Sequence, residues 1–219
     1  MRAVIIGNGS IKNYPLIKSK LRDDDYIICA DGGYNHAKLL GVRPEVLIGD
    51  MDSIGENDYN GEIINLPIKK DFTDSDVCTK FILLKDFDEI MMLGFLGTRQ
   101  DHTITNISLL KQFDDVSKKA YIIDENNEIY LAKKENTIYG KKGDIVSIIP
   151  FGQSLFGVST TGLDYSLEDG ILIFGESRGV SNIMTTDKCT ITIKQGCGLI
   201  IKSTDWKLKN DDVTLHRHF

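Results

Sequence analysis

Paired acidic side chains are the clearest chemical signal in this chain of 219 residues. Asp50 and Asp52 stand one residue apart, directly after a short apolar run. Carboxylates this close repel each other unless something positive lies between them, and Mg²⁺ prefers carboxylate oxygens as ligands. The pair therefore predicts a site for a divalent cation. The alternative is a solvated turn in which Asp52 or Ser53 caps a helix.

A second acidic segment is Lys70-Asp71-Phe72-Thr73-Asp74-Ser75-Asp76. Thr73 and Asp76 have the spacing of a capping box, and acidic residues are favoured at the start of a helix. A helix start explains these two residues without any further function. It does not require Asp71 or Asp74, which are therefore the functional candidates of this segment.

Arg99 is the third candidate, in Gly97-Thr98-Arg99-Gln100-Asp101-His102. Thr98 and Asp101 could form another capping box, which would place Arg99 in the first helical turn, where the helix dipole disfavours a cation. An anionic partner would compensate, and guanidinium binds phosphate through two parallel hydrogen bonds. The alternative is a structural salt bridge. His102 is expected to pack or to cap the helix rather than to act in catalysis.

Glycines mark one more candidate, at Asp31-Gly32-Gly33. Two glycines allow a sharp turn and a close approach of the backbone to a ligand, although a tight strand-to-helix turn would need them as well. Gly7-Asn8-Gly9 lacks the third glycine of a dinucleotide-binding fingerprint. The sequence also lacks a P-loop and the protein-kinase motifs, so neither of those classes applies.

Strands and helices that alternate along the first part of the chain would position these residues. Between the strands, Val77, Phe81 and Leu84 are spaced to share one helix face, and so are Ile104, Ile107, Leu110 and Phe113. This alternation predicts an α/β domain with a mostly parallel sheet, in which ligands bind beyond the carboxyl ends of the strands. The predicted strands are Ala3–Ile6, Tyr26–Ala30, Val46–Ile48, Glu62–Leu66, Ile90–Leu93 and Ala120–Ile123.

The pattern changes after the polar stretch Lys133-Lys134-Glu135-Asn136, which predicts domains at 1–134 and 135–219. The second part has short β-rich runs separated by Gly, Ser, Thr and Asp, and it predicts an all-β sandwich or barrel. Its named strands are Ile145–Ile149, Gly170–Phe174, Thr190–Lys194 and Gly198–Ile201.

Composition narrows the range of partners. A formal net charge of −6 argues against nucleic acid and anionic membranes, which need clustered Lys and Arg. The four cysteines have no zinc-site spacing and are interpreted as small core residues of a reducing compartment. The first apolar run, Ala3–Ile6, is too short for a signal sequence or a membrane span, so we expect a cytoplasmic protein.

Taken in order, these segments resemble thiamine pyrophosphokinases along nearly the whole chain. The departure is Gly97-Thr98-Arg99, where Gly-Gly-Arg is commoner in that family. The matching stretches are Asp31-Gly32-Gly33, Asn35-His36, Ile48-Gly49-Asp50-Met51-Asp52-Ser53-Ile54, Lys70-Asp71, Thr73-Asp74, Arg99, Asp101-His102, Gly157-Val158, Gly162-Leu163-Asp164-Tyr165 and Gly179-Val180-Ser181-Asn182.

The resemblance implies an α/β catalytic domain followed by a thiamine-binding β-sandwich, in a homodimer with active sites between subunits. It implies ATP as donor, Mg²⁺ as cofactor and thiamine as acceptor. By position it implies a metal site at Asp50, Asp52 and Asp74 and a catalytic pair at Arg99 and Asp101. It implies an ATP-binding set that comprises Asp31, Gly32, Gly33, Asp71, Thr73, Asp74 and Arg99. It implies a thiamine-binding set that comprises Ser181 and Asn182.

Two rival functions remain open on the sequence. One is a diphosphokinase for another heterocyclic alcohol, such as a hydroxymethylpterin, and the other is a non-catalytic sensor of thiamine or nucleotide. Asp101 is expected either to orient Arg99 or to accept the hydroxyl proton of the acceptor. Trp206 is expected either to stack on a thiamine ring or to pack in the ordinary way.

Overall fold

The computed structural model describes residues 1–50 and 59–204, and the strands of its first unit, Met1–Leu131, lie side by side in the order β7-β6-β5-β1-β2-β3-β4. Neighbouring strands from β6 to β4 are parallel, and β7 runs antiparallel to β6. The strands are β1 Arg2–Ile6, β2 Tyr26–Ala30, β3 Val46–Gly49, β4 Glu62–Asn65, β5 Glu89–Leu93, β6 Lys119–Ile123 and β7 Asn127–Leu131.

Burial explains why these strands were predictable. Every residue of β1 and of β3 is buried, as expected for central parallel strands that are covered on both faces and therefore read as continuous apolar runs. All six strands predicted for the first part of the chain are confirmed, with ends that differ by at most one residue. The mostly parallel sheet is confirmed as well.

The helices of this unit are short, and some of their ends carry recognisable caps. Asn13 accepts a hydrogen bond from the backbone of Leu16 at the start of α1, and Gly41 ends α2 in the left-handed conformation. The helices are α1 Tyr14–Lys18, α2 Gly33–Leu40, α3 Asp74–Leu83, α4 Gln100–Ser108 and α5 Leu110–Asp114.

The predicted buried face of α3 is wrong. Its buried residues are Asp76, Cys78, Thr79 and Ile82, whereas Leu84 is 88% exposed. The polar members of this face have partners, because Asp76 accepts hydrogen bonds from Lys80 and Gln112 and Thr79 donates to a backbone carbonyl. Polar side chains that are satisfied in this way can occupy a buried face.

The second predicted helical face is wrong in its first half. Ile104 is 59% exposed, and the buried residue of α4 is Asn106, whose amide donates to the Phe95 carbonyl over 2.8 Å. The segment is also divided at Leu109 into α4 and α5. Leu110 and Phe113 of α5 are buried, as predicted.

The second unit begins at Ala132 and contains two antiparallel sheets, with strand orders β12-β9-β14 and β11-β10-β13-β8. All four strands named for this part are confirmed, with ends that differ from the predicted ones by at most two residues. The strands are β8 Glu135–Tyr139, β9 Ile145–Pro150, β10 Leu155–Thr161, β11 Gly170–Leu172, β12 Asn182–Ile183, β13 Lys188–Thr192 and β14 Gly198–Ser203.

These two sheets pack face to face within the second unit. A Cβ atom placed on Gly198 of β14 would lie 2.8 Å from a methyl carbon of Leu155 on β10, so a glycine is needed where the sheets meet. Inward-facing residues such as Val146, Ile148, Val158 and Ile191 are fully or almost fully buried. The predicted β-sandwich is confirmed.

All four cysteines are free thiols, and Cys29, Cys78 and Cys189 are buried. Burial raises the pKa of each of these three thiols, so they are inert core groups, as predicted. Among the described residues, no helix combines the length and the apolar character that crossing a membrane requires.

Candidate functional site

The strand order places a topological switch point next to β1. The chain proceeds from β1 to β4 on one side of β1 and then continues with β5 and β6 on the other side. Ligands in such sheets bind beyond the carboxyl ends of the strands at this point. A cleft of about 440 Å³ lies there, lined by Asn8, Gly9, Ser10, Ala30, Asp31, Thr73, Asp74, Ser75, Gly94, Phe95, Leu96, Gly97, Thr98, Arg99, His102, Thr103 and Asn106.

The cleft brings together four of the predicted site residues from three separate loops. They are Asp31 after β2, Thr73 and Asp74 at the start of α3, and Arg99 after β5. Thr73 is also the N-cap of α3, since its hydroxyl accepts the Asp76 N–H over 3.2 Å. The other predicted ATP-binding residues, Gly32, Gly33 and Asp71, do not line the cleft.

The Asp31-Gly32-Gly33 turn is dictated by close packing. A Cβ atom on Gly33 would lie 2.1 Å from the carbonyl oxygen of Ile6, and one on Gly32 would lie 2.4 Å from the Asn8 amide. The two glycines thus allow the start of α2 to approach the end of β1, as the tight-turn interpretation requires. Asp31 itself has a positive φ of 46°, and its buried Oδ1 has no hydrogen-bond partner among the described residues.

Asp50 and Asp74 converge on one lysine, although they lie far apart in the sequence. The ammonium nitrogen of Lys70 is 2.8 Å from Oδ1 of Asp74 and 3.4 Å from Oδ2 of Asp50. Burial, together with the charges of Asp31 and Asp50, raises the pKa of Asp74 despite this ion pair. Burial alone would lower the pKa of Lys70, but its two acidic partners outweigh that effect and raise it.

The carboxylate oxygens of Asp50 and Asp74 are the type of ligand that a divalent cation prefers. The charges of Asp31 and Asp50 both act on Asp74, and the buried Oδ1 of Asp31 has no hydrogen-bond partner among the described residues. Asp52, the third predicted metal ligand, lies outside the described residues. Within residues 1–50 and 59–204, no group of three His, Cys, Asp or Glu has metal-binding geometry, so the predicted set stays a prediction.

Arg99 occupies the N-cap position of α4, and its side chain faces Asp101. Their closest atoms are 2.6 Å apart, and the two side chains are 70% and 64% exposed. The hydrogen bond from Arg99, with one from the His102 N–H, lowers the pKa of Asp101 to about 2. The proposed capping box at Thr98 is wrong, because the helix begins one residue later without a side-chain cap.

Residues 8–10 line the cleft and were not predicted as site residues. Gly9 donates to the Gly94 carbonyl over 2.6 Å, and His36 contacts the Gly9 carbonyl over 2.7 Å while its other ring nitrogen contacts the Tyr14 hydroxyl. The available signal was Gly7-Asn8-Gly9 directly after β1, and the missing third glycine obscured it. Lys70 was likewise named only as part of a matching stretch.

In the second unit, Ser181 and Asn182 play different structural parts. Ser181 is exposed, with a positive φ of 58°, and its N–H donates to the Ser147 hydroxyl. Asn182 is buried, and its amide accepts the N–H of Tyr165 over 3.0 Å and donates to the carbonyl of the same residue over 2.7 Å. Asn182 therefore positions the loop that carries Tyr165. Trp206 lies outside the described residues.

Comparison with known proteins identifies both units. Residues 17–123 match the family model "Thiamin pyrophosphokinase, catalytic domain", and residues 126–200 match "Thiamin pyrophosphokinase, vitamin B1 binding domain". A thiamine pyrophosphokinase of Bacillus subtilis is 30% identical over 179 residues, which cover 75% of this chain and 81% of the relative. Thiamin pyrophosphokinase 1 of Caenorhabditis elegans is 28% identical over 205 residues, which cover 86% of this chain and 83% of the relative.

Solved structures agree with these matches. The crystal structure of thiamine pyrophosphokinase from Bacillus subtilis superposes with a TM-score of 0.85 at 26% identity, covering 94% of this chain and all of that one. The thiamin pyrophosphokinase from Candida albicans superposes with a TM-score of 0.78 at 18% identity, covering 93% of this chain and 90% of that one. At that identity the superposition supports the fold alone.

Proposed function

This chain belongs to the thiamine pyrophosphokinase family, and we propose that it transfers a diphosphate group from ATP to thiamine, giving thiamine diphosphate and AMP. The observation that carries the proposal is the cleft at the switch point of the sheet. There Asp31, Asp74 and Arg99 face one cavity of about 440 Å³. A polyphosphate needs both features, namely carboxylates for its counter-ion and a guanidinium for its own charge.

The cofactor that we propose is Mg²⁺, held by Asp50 and Asp74 with Asp52. When bound, it would neutralise the polyphosphate, which these carboxylates would otherwise repel. Asp31 and Thr73, which line the same cleft, are the proposed nucleotide contacts, together with the backbone at Gly32 and Gly33. For Asp71, the proposed contact with the nucleotide rests on the family pattern alone. Its side chain is exposed and does not line the cleft.

In the proposed reaction, the primary hydroxyl of thiamine attacks the β-phosphorus of ATP and releases its proton to water. The bond between the β-phosphorus and the oxygen that bridges it to the α-phosphorus breaks as AMP leaves. Arg99 stabilises charge that develops on the transferred group. Asp101 orients Arg99, because a carboxylate whose pKa is about 2 is a poor acceptor for a hydroxyl proton. Two nitrogens of Arg99 also donate to the two carboxylate oxygens of Asp101, so of the two roles that the sequence left open, orientation is favoured.

The thiamine side of the proposal lies at Ser181 and Asn182. Ser181 offers an exposed hydroxyl, and Asn182 acts through the backbone of Tyr165. We further propose that the enzyme works in the cytoplasm as a homodimer with active sites between subunits, and that it has no nucleic-acid or membrane partner. The oligomeric state is measurable by light scattering.

A coupled assay tests the function. The protein is incubated with ATP, MgCl₂ and thiamine, AMP is measured by chromatography, and thiamine diphosphate by its oxidation to a fluorescent product. We expect equal amounts of the two products and none without thiamine. Release of ADP, or no AMP that depends on thiamine, would contradict the proposal.

The same assay addresses the two rivals. A hydroxymethylpterin in place of thiamine tests for the other diphosphokinase, and thiamine binding without turnover identifies a sensor. The relatives described above are named for thiamine, which favours thiamine as acceptor.

A further inference from the structure

Lys70 is a partly buried cation within the acidic part of the candidate site. Its side chain is 15% exposed, and its two carboxylate partners, Asp50 and Asp74, are 13% and 21% exposed. The backbone brings it there from the loop between β4 and α3. The ammonium therefore contacts two of the carboxylates proposed to hold the divalent cation.

The charges explain why a cation stands at this position. Two carboxylates that are removed from water repel each other, and Asp31 adds to that repulsion at Asp74. One ammonium between them lowers the cost of keeping both ionised. A divalent cation would relieve the same repulsion more strongly, because it carries twice the charge and prefers oxygen ligands.

We propose that Lys70 is the resident cation of this site and that an entering divalent cation displaces its ammonium from Asp50 and Asp74. The inference rests on the proposed function, since it takes these carboxylates as ligands of the catalytic metal. The ammonium and the metal compete for the same oxygens. Lys70 thus keeps the carboxylates in place before the metal arrives and lowers the affinity of the site for it.

Competition for the carboxylates predicts that the affinity of the site for a divalent cation rises when the charge of Lys70 is removed. Replacement of Lys70 by Met removes the competing charge while it retains a side chain of similar length. The affinity for Mn²⁺, used as a spectroscopic substitute for Mg²⁺, is expected to rise by about tenfold or more without nucleotide. A substitution that only disordered the loop would instead weaken this affinity, and the displacement of the ammonium requires a direct observation of Lys70 itself.

The first measurement is Mn²⁺ binding to the full chain, followed by the electron paramagnetic resonance signal of free Mn²⁺. Lys70→Met and Lys70→Gln are compared with wild type, and Lys69→Met, which removes an exposed neighbouring lysine, is the control. Circular dichroism verifies the fold of each variant. Tighter binding in both Lys70 variants but not in the control supports the proposal, and unchanged or weaker binding overturns it.

The second measurement observes the displacement itself. Nitrogen-15 spectra detect lysine ammonium groups that exchange slowly because they are ion-paired, and the Lys70 signal is assigned by its loss in Lys70→Met. Titration with Mg²⁺ is expected to shift or remove this signal at the concentrations that saturate the site. A Lys70 signal that stays in place while Mg²⁺ binds would overturn the displacement.

Failure of this inference is distinguishable from failure of the proposed function. Thiamine-dependent AMP release by wild type, combined with unchanged Mn²⁺ affinity in the Lys70 variants, rejects only the role of Lys70. Absence of AMP release, combined with tighter Mn²⁺ binding in those variants, rejects the proposed reaction and leaves the exchange of cations standing.

Discussion

Arg99 and Asp101 pair across one residue at the start of α4, and both side chains are more than half exposed. An exposed ion pair of this kind adds little to stability, because water screens it. Its position at the edge of the cleft is therefore better explained by function. The salt-bridge and phosphate interpretations of Arg99 are compatible, since Asp101 can orient the guanidinium that a phosphate would contact.

Replacement of Arg99 by Ala is expected to lower turnover by roughly 10³–10⁵, the range that a single well-placed arginine contributes to phosphoryl transfer. The melting temperature should remain near that of wild type, because the side chain is exposed. Steady-state kinetics and a thermal melt measure the two effects. Arg22→Ala, which removes another exposed arginine paired with a carboxylate, is the control and should retain activity. Near-normal turnover in Arg99→Ala would refute the assignment.

The pH dependence of the reaction tests the role of Asp101. Because the pKa of this carboxyl is lowered to about 2, it stays ionised above that pH, and the pair with Arg99 is lost only as the pH falls through it. Asp101→Asn should therefore lower kcat by a constant factor between about pH 5 and about pH 9, without moving either limb of the profile. The disappearance of one limb in this variant would instead identify Asp101 as the proton acceptor.

At the scale of elements, the contact between α2 and β1 fixes the geometry of the first loop of the cleft. Gly33→Ala should lower the free energy of unfolding by about 2 kcal/mol or more, because the added methyl group meets the Ile6 carbonyl at 2.1 Å. Urea denaturation measures the change. Gly170→Ala is the control, since its methyl group would make ordinary contacts, and should change stability by less than about 1 kcal/mol. Equal effects of the two substitutions would contradict the packing argument.

The loop that carries Tyr165 depends in a similar way on Asn182. Asn182→Ala leaves the N–H and the carbonyl of Tyr165 without their partner and should cost about 1–3 kcal/mol of stability. We also expect a higher KM for thiamine with a smaller change in kcat. Asn136→Ala, which removes another amide that binds backbone carbonyls in the same unit, is the control. It should destabilise the protein without raising this KM, and a parallel rise would argue against a specific role for Asn182.

The positions of the strands could be predicted from the sequence, whereas the buried faces of the helices could not. The strands were predictable because β1 and β3 are buried along their whole length, which leaves an unbroken apolar run. The helix faces were not, because a 3.6-residue pattern assumes that apolar residues are the buried ones. Asp76 and Asn106 are buried through hydrogen bonds, and Ile104 is exposed, so the assumption fails in both helices.

The site was predictable to the extent that it follows from sheet topology. Ligands bind beyond strand ends at a switch point, so Asp31 and Arg99 were expected near each other, and both line the cleft. The partnership of Lys70 with Asp50 was not predictable, because it depends on side-chain positions 20 residues apart. The tight packing of residues 7–9 against Gly94 was also hidden, since it depends on how two loops meet.

At the largest scale, the first unit is tied together at the end of the sheet opposite the cleft by a buried ion pair. Arg2, at the start of β1, donates to Asp25 through two nitrogens over 2.7 and 2.6 Å, and also to the Lys20 carbonyl and the Tyr121 hydroxyl. The side chains of Arg2 and Asp25 are 5% and 0% exposed. This cluster connects β1 with the segment before β2 and with β6, so it should contribute to the stability of the unit as a whole.

Asp25→Ala is expected to lower the free energy of unfolding by about 3–5 kcal/mol, because it leaves the guanidinium of Arg2 buried without its counter-charge. Urea denaturation followed by circular dichroism measures the loss. Asp88→Asn, which removes an exposed ion pair with the N-terminus, is the control and should leave stability close to that of wild type. Since the cluster lies away from the cleft, the folded Asp25→Ala protein should keep the KM of wild type for ATP. A small loss of stability, similar to that of the control, would mean that Arg2 finds other partners or water when Asp25 is absent.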